Sequence, residues 1–352
     1  MLIRFDFRTD DFQQANRDVL SDVIRRVLLA HRSGHHLAVL TREQGRWIGE
    51  NLVLDGYDGA ALKRVIAEYP QTGDLLRRAT KLLSISPHPL TAPQYEGNEI
   101  RVALDKVSRR YLLDRVALLV EDIASDGKFY SIALKAIAAK RRMPPVTWET
   151  KHGGGGRIRE ALSQVIEEER IACAIVDRDH SFPIEAVSKN VRHLTREVKR
   201  QGWPFVVIAT PQCREVDNLI PLAVLRELMS VRGHPQIVSY LERLEAAENT
   251  NGHDTSTAFI LWVDLKNGIV EEKLDNDGCR PWYEAKLALA GLSCSKVHWP
   301  GLGNSLISQA LGVPRLHGEI YAAMRSKRFD CVFGADFDDL LWCCASRAPF
   351  FS

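Results

Sequence analysis

Apolar residues follow two different rhythms along this chain, and the change falls near residue 110. Before it they recur at helical spacing. Ala15, Val19, Val23, Val27 and Leu28 share one face of a helix predicted over Gln13–His31. Asp10 or Asp11 is available to cap that helix, and Ser33-Gly34 to stop it. Further helices are expected at Gly59–Glu68 and Asp74–Leu83, with one short strand at Leu37–Leu40. Residues 1–110 therefore read as a mostly helical N-terminal module. The prolines of Ser86–Pro93 exclude regular structure and mark that stretch as a linker.

Beyond residue 110, short and wholly apolar runs alternate with amphipathic segments. The runs are Val116–Val120, Ile171–Val176 and Phe205–Thr210. Between them, helices are predicted at Gly127–Arg141, after the glycine run 152–156 (burying Ile158, Leu162 and Val165), and at Ile184–Gln201. Two more follow at Asn218–Met229 and His234–Glu248. Runs without polar alternation read as strands covered on both faces, as in parallel sheets. Residues 111–248 thus predict an α/β domain, a parallel sheet flanked by helices through right-handed crossovers. After Asn249–Gly252 the pattern loosens, and residues 249–352 read as a small α+β extension.

Acidic residues stand at the carboxyl end of every run in the middle segment. Glu121 follows the first, Asp177 and Asp179 the second, Glu215 and Asp217 the third. That end of a parallel sheet is where ligands bind. Carboxylates gathered there repel one another unless a divalent cation offsets them. Asp177 and Asp179 would share a face if their strand continued, or a turn would aim both at one ion. Glu121 is the best general acid/base, because neighbouring aspartates raise its pKa. Against these readings stand helix capping for Asp177, Asp179, Asp217 and Asn218, and a loop acid for Glu121.

Composition narrows the classes. A hydrophobic content of 45% with 26% charged residues is that of an ordinary globular protein. The 47 basic against 45 acidic residues leave a net charge of +2, so bulk charge makes no case for a polyanion. Local basic runs at Lys140–Arg142 and Arg192–Arg200 read first as solvated helix faces. No stretch approaches the roughly 20 apolar residues of a membrane helix. An N-terminus without a signal-peptide core and seven cysteines, an odd number, lead to an expectation of reduced thiols in the cytoplasm. Cys279, Cys294 and His298 match no compact zinc spacing, and Cys343-Cys344 read as core residues. No nucleotide-binding P-loop is present in the sequence.

Three segments carry a resemblance. Leu119–Phe129, reading L-V-E-D-I-A-S-D-G-K-F, resembles the opening motif of a Toprim domain, in which a strand delivers a glutamate and a Ser/Thr-Asp pair follows. Val176-Asp177-Arg178-Asp179 resembles that family's Asp-x-Asp motif, with Pro183 behind it. Arg214–Pro221 resembles the Glu-x-Glu-Asn-Tyr-Leu-type signature of overcoming-lysogenisation-defect (OLD-type) nucleases and related phage-defence proteins. The likeness spans residues 113–230. Two departures are visible: Asp122 replaces a small glycine, and Glu121 to Asp126 is one residue longer than the common spacing.

The resemblance implies a Toprim-like fold and a nuclease that uses Mg²⁺ or Mn²⁺. Metal ligands would be Glu121, Asp126, Asp177, Asp179 and Glu215, with Asp122 standing as an alternative to Asp126. Lys266 is the candidate basic group facing the transition state, set against an ordinary surface lysine. Implied partners are nucleic acid, DNA foremost, and a separate ABC- or SMC-type ATPase, in defence against phage or mobile DNA. The alternatives are a non-catalytic Toprim-fold adaptor that binds DNA or an ATPase complex, and a phosphatase or nucleotide hydrolase using the same carboxylates.

Overall fold

The computed structural model describes all residues except 108–110, 155–156, 185–187, 233–234, 251–254, 270, 277, 295–300 and 350–352. The middle segment holds strands β6 (Ala117–Val120), β7 (Glu149–His152), β8 (Ala172–Ile175) and β9 (Val206–Ala209), numbered after five strands of the N-terminal module. They lie in the order β7-β6-β8-β9, all parallel. The three apolar runs are thus strands of one parallel sheet, as expected. Every residue of β6 and β8 is buried, which is why their sequences carry no polar alternation. β7 was not foreseen. Its sequence, E-T-K-H, is polar because it forms an edge and leaves its side chains partly in solvent.

The N-terminal module contains the expected helices, at Arg17–Arg32 and Gly56–Thr72 among others, but they cover a five-stranded sheet. Its strands are β1 (Leu2–Phe5), β2 (Leu37–Val39), β3 (Leu82–Ser86), β4 (Gln94–Glu96) and β5 (Glu99–Ala103), in the order β2-β1-β3-β5-β4. All pairs are parallel except the β4–β5 hairpin. The helix expected over Asp74–Leu83 shrinks to Leu75–Arg78, and the chain enters β3 at Leu82. There Leu82–Ile85 pair with both β1 and β5, and burial on both sides overrides helical propensity. The proline-rich Ser86–Pro93 stretch joins β3 to β4 inside this module.

The described part of residues 249–349 holds helices and 3₁₀ turns joined by irregular segments, with an antiparallel bridge between Val146 and Ala345. Its last helix, Ala335–Cys343, is tied to β9, where Asp336 Oδ2 accepts from Thr210 N at 2.7 Å. One apolar cluster runs from Met1 through β6, β8 and Phe259 to Cys344, so the three segments share a core. Among the described residues, no helix is long and apolar enough to cross a membrane.

Candidate functional site

The strand order places the site. β6 connects to β7 on one side, whereas β8 connects onward to β9 on the other. The reversal between β6 and β8 opens a crevice at their carboxyl ends, the usual ligand position in such sheets. Glu121 follows β6 and Asp177–Asp179 follow β8, so both sequence motifs border that crevice.

The residue inserted between Glu121 and Asp126 is absorbed by a π-helical turn, Ile123–Gly127, closed by Gly127 N donating to Asp122 O at 2.9 Å. Asp122 caps this turn, accepting from Ala124 N at 3.0 Å and Ser125 Oγ at 2.6 Å. Those bonds lower its pKa, and it stays exposed. Asp126 is oriented by Asp122 N at 3.1 Å and adds its charge to Glu121, Asp177 and Asp217. Asp126, not Asp122, joins the acids.

β8 stops at Ile175, so Asp177 and Asp179 do not lie along a continuing strand. Asp179 takes φ +57°, a left-handed conformation uncommon for a residue with a side chain. Its N–H donates to Arg214 O at 3.0 Å, which fixes the turn to the segment after β9. Arg178 points away from the cluster, is buried, and donates to Ile184 O at 3.1 Å.

Glu215 precedes the 3₁₀ turn Val216–Leu219. Asn218, expected as the cap of a helix beginning at Leu219, sits inside that turn instead. Its Oδ1 accepts from Glu215 N at 3.2 Å, and its Nδ2 donates to Ile260 O and Val263 O at 2.7 and 2.8 Å. Buried Arg214 binds buried Asp264 at 2.9 Å and Ser181 Oγ at 2.9 Å. Asp264 Oδ1 in turn accepts from Asn267 N at 2.8 Å. These bonds hold the 264–267 turn over the sheet, and Lys266 pairs with Glu215 and, at 3.2 Å, with Asp217. Lys266 is therefore held against the acids of the crevice and is not a free surface lysine.

The electrostatics are those of carboxyls short of positive charge. Burial first, then Asp179 and Asp126, raise the pKa of Glu121. Burial followed by Glu121, Asp126, Glu215 and Asp179 raises Asp177 well above the usual carboxylate range. Burial first also raises Asp126, Asp179 and Asp217. For Lys266, burial alone would lower the pKa; hydrogen bonding to Glu215 and the charge of Asp217 outweigh it and raise the value.

A cleft of about 830 Å³ adjoins the cluster, lined by Glu121, Asp126 and Lys266 on one side and by His152, Gly153 and Arg157 on another. Gly153 lets β7 close against β6, since a Cβ there would meet Val120 O at 2.8 Å. Gly155 and Gly156 of the same run lie outside the described residues. Asp217, Arg214, Asp264, His152 and Arg157 were not selected from sequence as site residues. The acidic residue after β9 was a signal for Asp217. The others depend on contacts distant in sequence.

Among the described residues, no three His, Cys, Asp or Glu side chains are gathered closely enough to hold a metal ion as they stand. Two observations nevertheless fit a hard cation. The donors are all carboxylates that repel one another, and hard divalent ions prefer oxygen. Beneath them Tyr130, 2% exposed, keeps its hydroxyl buried with no hydrogen-bond partner among the described residues, in the field of Asp177, Cys213, Asp126 and Glu121. The zinc alternative gains nothing: Cys279 and Cys294 are buried, and His298 lies outside the described residues. Cys343 and Cys344 are free thiols in the core. Comparison with protein-family models, curated proteins and solved structures gives no match to this chain.

Proposed function

We propose that this chain is a metal-dependent nuclease of Toprim type, cleaving phosphodiester bonds in nucleic acid, DNA foremost. The observation that carries the reading is that Glu121, Asp126, Asp177 and Asp179 all border the β6/β8 crevice beside a cleft, each with its pKa raised, first by burial. Asp126, Asp177 and Asp179 would hold Mg²⁺ or Mn²⁺, with Glu121 and Glu215 at the edge. A bound divalent cation supplies charge stabilisation to the attacking and leaving oxygens. Glu121, its pKa raised by burial and then by Asp179 and Asp126, takes and returns the proton. Lys266, paired with Glu215 and Asp217 and lining the cleft, would face the charge that develops on phosphate. By the same resemblance the work is defence against phage or mobile DNA, with the ATPase on a separate chain, and the free thiols fit a cytoplasmic location.

Calorimetric titration tests the first step. Mg²⁺ or Mn²⁺ should bind the wild type and fail to bind Asp177→Ala/Asp179→Ala, and the wild type should then cut plasmid DNA. One observation favours a second reading: Lys266 already sets a positive charge against Glu215 and Asp217. A non-catalytic adaptor would need no further cation. Absence of metal binding together with inertness towards plasmid and mononucleotides would select it.

A further inference from the structure

A second cleft, of about 710 Å³, is lined by Asp122, Ile123, Gly127, Lys128, Thr150 and His152. It shares Asp122 and His152 with the cleft at the acid cluster, so the two lie side by side. The resulting groove crosses the carboxyl ends of β6 and β7 and passes between the starts of helices Lys128–Lys140 and Ile158–Glu167. Lys128 stands at one end, His152 in the middle and Arg157 at the other, with Lys266 and Glu121 alongside. All three of these bases are exposed, and among the described residues no carboxylate forms an ion pair with Lys128 or Arg157.

Two features identify the occupant. Each cleft alone is of the roughly 300–1,000 Å³ usual for a small-ligand pocket, but the two lie side by side along Lys128, His152 and Arg157, an arrangement that suits a chain better than a mononucleotide. No Phe, Tyr or Trp is among the described lining residues of either cleft, so the groove offers no platform for base stacking. Charged side chains that meet a strand without stacking grip phosphates, and phosphate contacts carry no sequence information. We propose that this groove holds a nucleic-acid strand by its phosphodiester backbone, through Lys128, His152 and Arg157, independently of base sequence.

Glu121, Asp122, Asp126 and Glu160 line the same groove and repel a polyanion. A phosphate settles there once a divalent cation offsets those acids, and in this respect the inference rests on the nuclease reading. Binding, however, is measurable without cleavage. Fluorescence anisotropy with labelled oligonucleotides in Ca²⁺, probe integrity being checked on gels, provides the test. Single-stranded DNA, duplex DNA and RNA of two unrelated sequences each serve as probes, and the tightest identifies the strand the groove takes.

Lys128→Ala/Arg157→Ala should weaken that probe at least 10-fold at low salt, alike for both sequences. The dependence of log affinity on log salt should flatten by about 0.7–0.9 for each phosphate that is no longer neutralised. A second variant, Arg157→Lys, should retain most of the binding. Unchanged affinity and slope in the double variant overturn the groove, as does a loss confined to one sequence. A wild type that binds in this way yet never cleaves leaves the groove and removes the nuclease. Cleavage with unchanged double-variant binding does the reverse.

Discussion

Lys266 Nζ lies 3.2 Å from Asp217 Oδ2, so a side chain from the C-terminal stretch supplies positive charge to the acidic rim of the parallel sheet. Neither residue's neighbourhood in sequence announces the other. The pairing exists because Arg214 and Asp264 meet behind it, both almost fully buried. The C-terminal stretch is therefore part of the site.

An ammonium among carboxylates competes with a metal ion for the same oxygens. Lys266→Met should accordingly bind Mn²⁺ more tightly than the wild type in calorimetry. If Lys266 also stabilises the transition state, cleavage should fall by about 10²–10³-fold, the usual cost of removing one electrostatic donor. Tighter binding with undiminished cleavage would leave it only the role of a counter-ion.

The carboxyl pKa shifts fix the sign of a pH effect. Glu121, Asp126, Asp177, Asp179 and Asp217 titrate above their unfolded values. Their stabilising contribution is therefore complete below about pH 4, the unfolded range, and is lost as pH rises through the raised folded values. Buried His31, lowered to about 4, and His36, lowered well below its usual value, act in the opposite direction in acid. The check is thus a difference: without metal, Asp177→Asn should melt above the wild type at pH 7.5, and the gap should close towards pH 5. Added Mg²⁺ should reverse it.

Tyr130 gives an independent view of the same cation. A buried hydroxyl without a partner costs about 1–3 kcal/mol, and Tyr130 Oη has none among the described residues. Tyr130→Phe should leave the metal-free melting temperature unchanged or higher. If the hydroxyl orients Asp177 once a cation is bound, Mn²⁺ affinity should drop by about 10-fold. A metal-free Tyr130→Phe protein that melts well below the wild type would mean that the hydroxyl is already satisfied.

Gly301 packs against the lysine turn, where a Cβ would overlap Lys266 O and the backbone of Asn267. Leu302 N and Gly303 N donate to Leu265 O and Lys266 O there, at 2.8 and 3.0 Å. Gly301→Ala must displace the turn, lowering the melting temperature and slowing cleavage. Gly312, with open space around it, is the control, and Gly312→Ala should change neither.

What the sequence disclosed follows from where each interaction is made. β6, β8 and β9 were legible because burial leaves a run of apolar residues, and the acids ending those runs marked the crevice. β7 was hidden because an edge strand needs no apolar pattern, and β3 because Leu82–Ile85 also suits a helix. Asp126 was ambiguous because only a π-turn decides which aspartate faces inward. Lys266 was undecidable locally, since its placement depends on Arg214 and Asn218 reaching across to the 260–264 segment.

The proposed mechanism turns on Glu121. It follows a wholly buried strand, and its pKa is raised by burial and then by Asp179 and Asp126. Glu121→Gln is nearly isosteric and removes one of the repelling charges, so the fold should persist and the metal-free protein should melt no lower. Cleavage should nonetheless fall by about 10²–10⁴-fold if this carboxyl moves the proton. Asp177→Asn should also slow cleavage, but by weakening the cation site, so that raised Mn²⁺ restores part of the rate. The two variants therefore separate at high Mn²⁺: Asp177→Asn recovers and Glu121→Gln does not. Equal recovery of both would make Glu121 a ligand alone, and wild-type cleavage by Glu121→Gln would remove it from the chemistry.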